Sequence, residues 1–242
     1  TVIEKNPDQR QLTTRYTEAA LRFIEAQREK PFFIYLAHNM PHVPLFVSEK
    51  FAGKSARGLY GDVMMEIDWS VGQIMAKLSA LGLDERTLVV YTSDNGPWLA
   101  YGIDGGSAGP LREGKGTTWE GGMRVPGIFR WPGKIPAGRR TDAMAANIDL
   151  LPTFAGLAGA AVPANRTIDG RDLWPLLSGQ TSRSPREYYH YLAGSMEGRV
   201  NFQGIRDERW KLAVAVEADG KVAGRQLYDL GADVSEKFDR LA

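Results

Sequence analysis

Ser93-Asp94-Asn95-Gly96 follows the apolar run Leu88-Val89-Val90-Tyr91, and past a glycine-rich stretch comes Gly114-Lys115-Gly116-Thr117-Thr118-Trp119-Glu120-Gly121-Gly122. The side chains of Asp94 and Asn95 offer a carboxylate and an amide oxygen, hard donors of the kind that a hard divalent cation takes. They stand at the tip of a buried strand, where α/β proteins place their ligands. Lys115 is a compact positive charge suited to an oxyanion, in a loop too rich in glycine to be ordinary surface. An Asn-Gly pair closing a turn would explain Asp94 and Asn95 equally well if they stood alone. The glycine-rich loop and its lysine point instead to a site for a metal and a sulfate or phosphate ester.

Other residues bear on the same chemistry. Gly109 to Lys115 carries most of a phosphate-binding P-loop, but position 116 is Gly where Ser or Thr would hold magnesium, and Gly121-Gly122 stand where a helix should continue. That motif is rejected and Lys115 is kept as a point charge. His38 and His42 have the spacing of a helical zinc pair, but Pro41 and Pro44 exclude helix there. His42 is instead a loop imidazole able to contact an anion or to act as general acid. His190, among tyrosines, reads as packing. Glu66 and Asp68 read as structural. Arg112, Glu113, Glu120 and Arg124 are expected to form an ion-pair frame around the Lys115 loop, and Trp98 and Trp119 suit a core or a pocket wall.

Composition narrows the classes. The chain has 242 residues, 43% hydrophobic and 24% charged, which is enough apolar material for a core. Thirty basic and 29 acidic residues leave a net charge of +1, and the longest basic run is Arg139-Arg140, so no nucleic-acid partner is expected. No stretch approaches the ~20 apolar residues of a membrane span. Residues 1–11 are polar and read as no secretory signal, so the chain itself leaves localisation open. Zero cysteine excludes disulfides and thiolate metal sites within these residues and fits a reducing or an oxidising compartment.

The elements that must carry these groups read as follows. Residues 13–27 form an amphipathic helix with Tyr16, Ala19, Ala20, Phe23 and Ile24 on its apolar face. A second helix covers 58–80, its face built from Tyr60, Val63, Met64, Ile67, Val71, Ile74, Met75 and Leu78, with Gly82 as its stop. Residues 32–37 and 87–92 are apolar rather than alternating runs. They are expected to be parallel strands of one sheet covered on both faces. Residues 127–131 make a short strand, and Asp149 starts a helix through 158. Residues 163–180 read as loop with one short turn around Trp174. From 186 the texture changes to short β-rich segments at 188–192, 202–206, 210–216 and 226–230, with turns at Asp207-Glu208 and Asp219-Gly220, a small antiparallel sheet. The expected division is an α/β domain over 1–180 and an antiparallel-sheet subdomain over 181–242.

These residues also carry a family resemblance. Residues 31–44 (PFFIYLAHNMPHVP), Gly61-Asp62 with Glu66 and Asp68, 87–96 (TLVVYTSDNG), 114–126 (GKGTTWEGGMRVP), Trp131-Pro132-Gly133, 149–153 (DLLPT) and Leu227-Tyr228-Asp229-Leu230 resemble the later part of a type I, arylsulfatase A-like sulfatase. The resemblance implies the alkaline-phosphatase-like α/β sandwich with a C-terminal antiparallel sheet. It implies Asp94 and Asn95 as metal ligands, usually for calcium, His42 and Lys115 as contacts to the sulfate and its leaving oxygen, and a periplasmic or secreted home. The family's nucleophile is a formylglycine made from Cys or Ser in a C/S-x-P-x-R motif. No cysteine is present, and Ser182-Arg183-Ser184-Pro185-Arg186 has the letters at the wrong spacing. The expectation is therefore a C-terminal portion of a longer sulfatase, inactive by itself, holding calcium weakly through two side chains and prone to self-association through bared surface. The intact protein is expected to hydrolyse a sulfated carbohydrate or an aryl sulfate. A phosphoesterase of the same superfamily and a non-catalytic calcium-binding or interaction module are the alternatives.

Overall fold

Residues 12–27 have no proline or glycine and form the first long helix, α1 (Leu12–Gln27). The next, α2 (Gly58–Ala80), ends where Gly82 turns with φ +65° and donates its N–H to Ser79 O at 3.0 Å, the left-handed stop that glycine permits. The computed structural model describes residues 4–194, 200–217 and 220–242. They fall into two compact units, one of residues 1–88 and 98–107, the other of 89–97 and 108–242.

In the first unit α1 and α2 bury a face that differs from the apolar stripe expected. The buried residues of α1 are Thr13, Thr17, Ala20 and Ile24, whereas Ala19 and Phe23 are exposed. On α2 the polar Asp62, Glu66 and Ser70 are buried beside Val63, Ile67 and Leu78. These polar groups are tolerated because each is bonded. Thr17 Oγ1 lies 2.6 Å from Ser70 Oγ and 2.7 Å from Thr13 O. Glu66 accepts the Thr14 hydroxyl at 3.2 Å and the Ser48 N–H at 3.1 Å, and Asp62 accepts the N–H groups of Gly53 and Ser55 at 2.8 and 2.6 Å. Backbone donors thus hold the Asp62 carboxyl below its usual range. Glu66 is structural, as expected, and Asp68 is exposed.

The expected parallel pair is not formed. No strand is assigned over 32–37, while β1 (Val89–Thr92) pairs with β2 (Gly127–Arg130) in antiparallel register, Val89 opposite Arg130 and Thr92 opposite Gly127. An apolar run becomes a strand only where another backbone lies alongside to complete its ladder. Of the two runs, only 89–92 has such a partner among the described residues. The class is α/β as expected, and both sheets of the described residues are antiparallel.

The second unit continues with α3 (Glu120–Met123), α4 (Leu150–Leu157), α5 (Trp174–Leu177) and a four-stranded sheet of β3 (Tyr189–Gly194), β4 (Val200–Arg206), β5 (Trp210–Val216) and β6 (Val222–Asp229) in sequential antiparallel order. That sheet matches the expected one strand for strand. The turn at 207 is closed by Asp207 Oδ1, which accepts the N–H of Arg209 and Trp210 at 2.7 and 2.6 Å. Asp219 of the second expected turn lies outside the described residues. The sheet lies within 181–242, the segment assigned to it, and shares its unit with 108–180. Among the described residues no helix is long and apolar enough to cross a membrane.

Candidate active site

The tip of β1 runs into Ser93-Asp94-Asn95-Gly96. Asp94 is exposed and its Oδ1 accepts the N–H of the next residue, Asn95, at 3.0 Å. Asn95 donates Nδ2 to Gly96 O at 3.3 Å, so its amide oxygen is the end left to serve as acceptor. Asn147, a residue that the sequence did not single out, donates Nδ2 to Ser93 O at 2.8 Å and lies 3.3 Å by its Oδ1 from the Thr92 hydroxyl. It anchors the turn from a segment 54 residues away.

The Lys115 loop is clasped to this turn. Gly96 N–H donates to Gly122 O at 3.0 Å and Lys115 N–H to Pro97 O at 2.8 Å. Three glycines make the close approach feasible. A Cβ on Gly96 would stand 1.8 Å from Gly121 O, one on Gly121 2.1 Å from Glu113 O, and one on Gly122 2.3 Å from Thr117 O. Within the loop Gly114 O accepts both the N–H and the hydroxyl of Thr117, at 3.2 and 2.9 Å. Asp94, Asn95 and Lys115 therefore belong to one unit and to two loops joined by backbone bonds.

The donor set suits a hard cation in kind. It comprises one carboxylate and one amide oxygen on adjacent residues, without sulfur or imidazole. Calcium takes ~6–8 oxygens, and no group of three or more His, Cys, Asp or Glu side chains gathers for a metal among the described residues. These two residues fit as part of a coordination shell and not as the whole of one.

His42 stands in the first unit. It is exposed in a turn whose N–H bonds Asn39 O at 3.2 Å, in keeping with the loop that its prolines require. Its Nδ1 lies 2.7 Å from Val43 O. A carbonyl only accepts, so Nδ1 carries hydrogen, and in the neutral ring Nε2 presents the lone pair. Its ring packs edge-on to Trp98 at 5.5 Å, and Trp98 packs on Tyr101 at 4.7 Å. His38, by contrast, is half-buried with Nε2 3.4 Å from Ser70 Oγ. Burial lowers its pKa, against the pull of Glu66. His190 is exposed on β3 with its ring 6.3 Å from Phe202.

The expected ion-pair frame of Arg112, Glu113, Glu120 and Arg124 forms only at Glu120 and Arg124, and the close partners of Glu120 are ones that the sequence did not suggest. Glu120 is fully buried and takes the Tyr191 hydroxyl at 2.6 Å, Arg206 Nη1 at 2.7 Å and Lys211 Nζ at 3.2 Å, while Arg124 stands 3.9 Å away. Burial by itself would raise the Glu120 carboxyl, but the charges of Lys211 and Arg206 outweigh it and hold the group below its usual range. Burial and the Glu120 charge raise the Tyr191 phenol. Arg112 does not reach this carboxylate. It donates Nη1 to Tyr228 Oη at 3.1 Å and to Glu236 O at 3.0 Å, with its guanidinium 3.6 Å over the Trp119 ring. Trp119, Gln203, Arg225 and Gln226 line an open cleft of about 360 Å³ beside the loop. Arg186 of the mis-spaced Ser-Pro-Arg segment ion-pairs with buried Asp149, which also accepts the N–H of Ala146 and Arg171, both at 2.8 Å, a structural use of that arginine.

Comparison with known proteins gives the family. Residues 2–160 match the sulfatase family model, and residues 114–240 match the model of the N-sulphoglucosamine sulphohydrolase C-terminal region. The chain is 48% identical to human steryl-sulfatase over 186 residues, 74% of this chain and 32% of that protein. It is 40% identical to human arylsulfatase A over 235 residues, 90% of this chain and 46% of that protein. Among solved structures, the PsFucS1 sulfatase from Pseudoalteromonas sp. superposes with a TM-score of 0.87 at 28% identity, over 99% of this chain and 51% of that one. Ps i-CgsB in complex with k-i-k-neocarrahexaose gives 0.82 at 34% identity, over 95% and 50%. The chain thus spans a third to a half of the length of these relatives. With a family model matched over most of its residues and 40% identity to a sulfatase over 90% of its length, the chain belongs to the sulfatase family.

Proposed function

We propose that the protein carrying this chain hydrolyses sulfate esters, and that these residues supply its charge stabilisation and leaving-group chemistry. The observation that carries this is the clasp between the two loops, which sets hard oxygen donors and an ammonium on adjoining backbone. Asp94 and Asn95 would hold part of the shell of a hard divalent cation, calcium being the one that the family resemblance implies. A cation held there would supply polarisation of the sulfate oxygens. Lys115 offsets the negative charge that grows on those oxygens as the ester bond breaks. His42, fixed as the Nδ1–H tautomer by Val43 O, can when protonated deliver its Nε2 hydrogen to the leaving oxygen. No residue of this chain is assigned the attack on sulfur. Sulfated carbohydrates and aryl sulfates are the proposed substrates, and the cleft beside Trp119, with Gln203 and Arg225 on its walls, has the aromatic and polar lining that a sugar takes.

The test is steady-state hydrolysis of an aryl sulfate, with an aryl phosphate in parallel, by the full-length protein. Lys115→Ala should lower kcat by roughly 10²–10³-fold, the cost of losing one charge-stabilising donor. Asp94→Ala should be at least as damaging, and added calcium should not restore it. His190→Ala should be nearly silent. Full activity in Lys115→Ala would refute the assignment, and a preference for the phosphate would make the protein a phosphoesterase.

A further inference from the structure

The Lys115 loop has glycine at 114, 116, 121 and 122 and so has few side chains with which to fix its own path. Something rigid outside it must do so. Lys211 on β5, with its side chain 2% exposed, meets that need. Its ammonium makes two hydrogen bonds and one close ion pair. It donates to Thr118 O at 2.7 Å, lies 3.2 Å from Glu120 Oε1, and is 2.6 Å from Glu236 Oε1. Two of these belong to the loop. The third belongs to Glu236, whose other oxygen accepts the Glu120 N–H at 2.8 Å, so the loop is held from β5 and from the C-terminal segment at once. Thr118 follows Lys115 by three residues, so their Cα atoms lie within roughly 11 Å of each other.

We propose that Lys211 is a positioning residue for Lys115: its buried ammonium, pinned by Glu236, sets the course of residues 114–122 and thereby the place of the Lys115 charge. The catalytic part of this rests on the sulfate-ester reading above. The structural part, loop order governed by Lys211, does not. Lys211→Met alone would remove the cation paired with buried Glu236 and can unfold the sheet. Lys211→Met with Glu236→Gln removes one charge of each sign, keeping the cluster balanced while the tie to Thr118 O is lost.

Two measurements on the full-length protein test this. Hydrogen exchange at the amides of Lys115, Thr117, Gly121 and Gly122 should speed up at least tenfold in the double variant, with the α2 amides unchanged. The kcat for an aryl sulfate should fall on the order of 10²-fold, the cost of a misplacement of about 1 Å, with KM little altered. In a Lys115→Ala background the same pair of substitutions should change kcat less than twofold, since a residue that acts through Lys115 has nothing left to act on. Unchanged loop exchange overturns the proposal whatever the reaction. So does a rate loss that simply multiplies with that of Lys115→Ala, which would mark a loss of folded protein. If Lys115→Ala is itself fully active while loop exchange rises, the hydrolytic reading fails and the control of loop order by Lys211 stands.

Discussion

Gly96→Ala is the smallest change that separates the two loops of the site. Its Cβ would stand 1.8 Å from the carbonyl oxygen of Gly121 and 3.1 Å from the Gly122 Cα. Both are backbone atoms, so no rotamer change relieves the clash. Bringing 1.8 Å to the 3.0 Å below which real Cβ atoms essentially never come requires the loops to part by at least about 1.2 Å, and the bond from Gly96 N–H to Gly122 O, now 3.0 Å, cannot survive that. Overpacking of this kind costs about 1–3 kcal/mol, and the lost hydrogen bond about 1 kcal/mol. A separation of about 1 Å between Asp94 and Lys115 is also of the size that lowers a rate on the order of 10²-fold. The assay is kcat for an aryl sulfate in the full-length protein, at a temperature where thermal melts show both forms folded. Gly72→Ala is the control. It lies exposed within α2, nothing stands within 4 Å of its added Cβ, and it should gain about 0.5–1 kcal/mol with activity unchanged. A Gly96→Ala protein with kcat within twofold of wild type and an unshifted melt would refute the claim that the clasp holds the site together.

Glu236 and Glu120 should leave opposite marks on the pH dependence of stability. Burial raises the Glu236 carboxyl above its ordinary 4.5, against the pull of Lys211, so its contribution is full below 4.5 and is lost as pH rises through the raised value. Glu120 is held below 4.5, so its contribution is present above that pH and is lost as pH falls through the lowered value. Denaturant midpoints from about pH 3.5 to 7 should therefore show a decline above 4.5 that disappears in Glu236→Gln; a wild-type-to-variant difference independent of pH would be wrong for this account. Thr17→Val deletes the hydroxyl 2.6 Å from Ser70 Oγ at a position that is fully buried, at an expected cost of about 1–3 kcal/mol in urea unfolding, and an unchanged midpoint would show that the polar seam between α1 and α2 is dispensable.

Much of this protein was legible from its residues one segment at a time. The helices at 12–27 and 58–80, the turn stop at Gly82, the strand before Asp94 and the four short strands after 188 all follow from local patterning, because period and turn chemistry act over a few residues. The candidate ligands and Lys115 were legible for the same reason: Ser-Asp-Asn-Gly and the glycine-rich loop are contiguous motifs. Partnership across the chain was not. Whether 32–37 becomes a strand depends on a neighbour alongside, and 89–92 pairs antiparallel with 127–130, which no local pattern specifies. The buried face of α1 carries Thr13 and Thr17 in place of Phe23, since a hydroxyl with a partner costs little to bury, and only the packed structure supplies that partner. Lys211, Arg206 and Tyr191 lie 71 to 91 residues from Glu120, and Glu236 lies 116 away. In sequence each is an ordinary strand or tail residue. Only the folding of the C-terminal sheet against the loop turns them into one buried cluster, because electrostatic coupling follows distance in space and the exclusion of water, neither of which is written in sequence order.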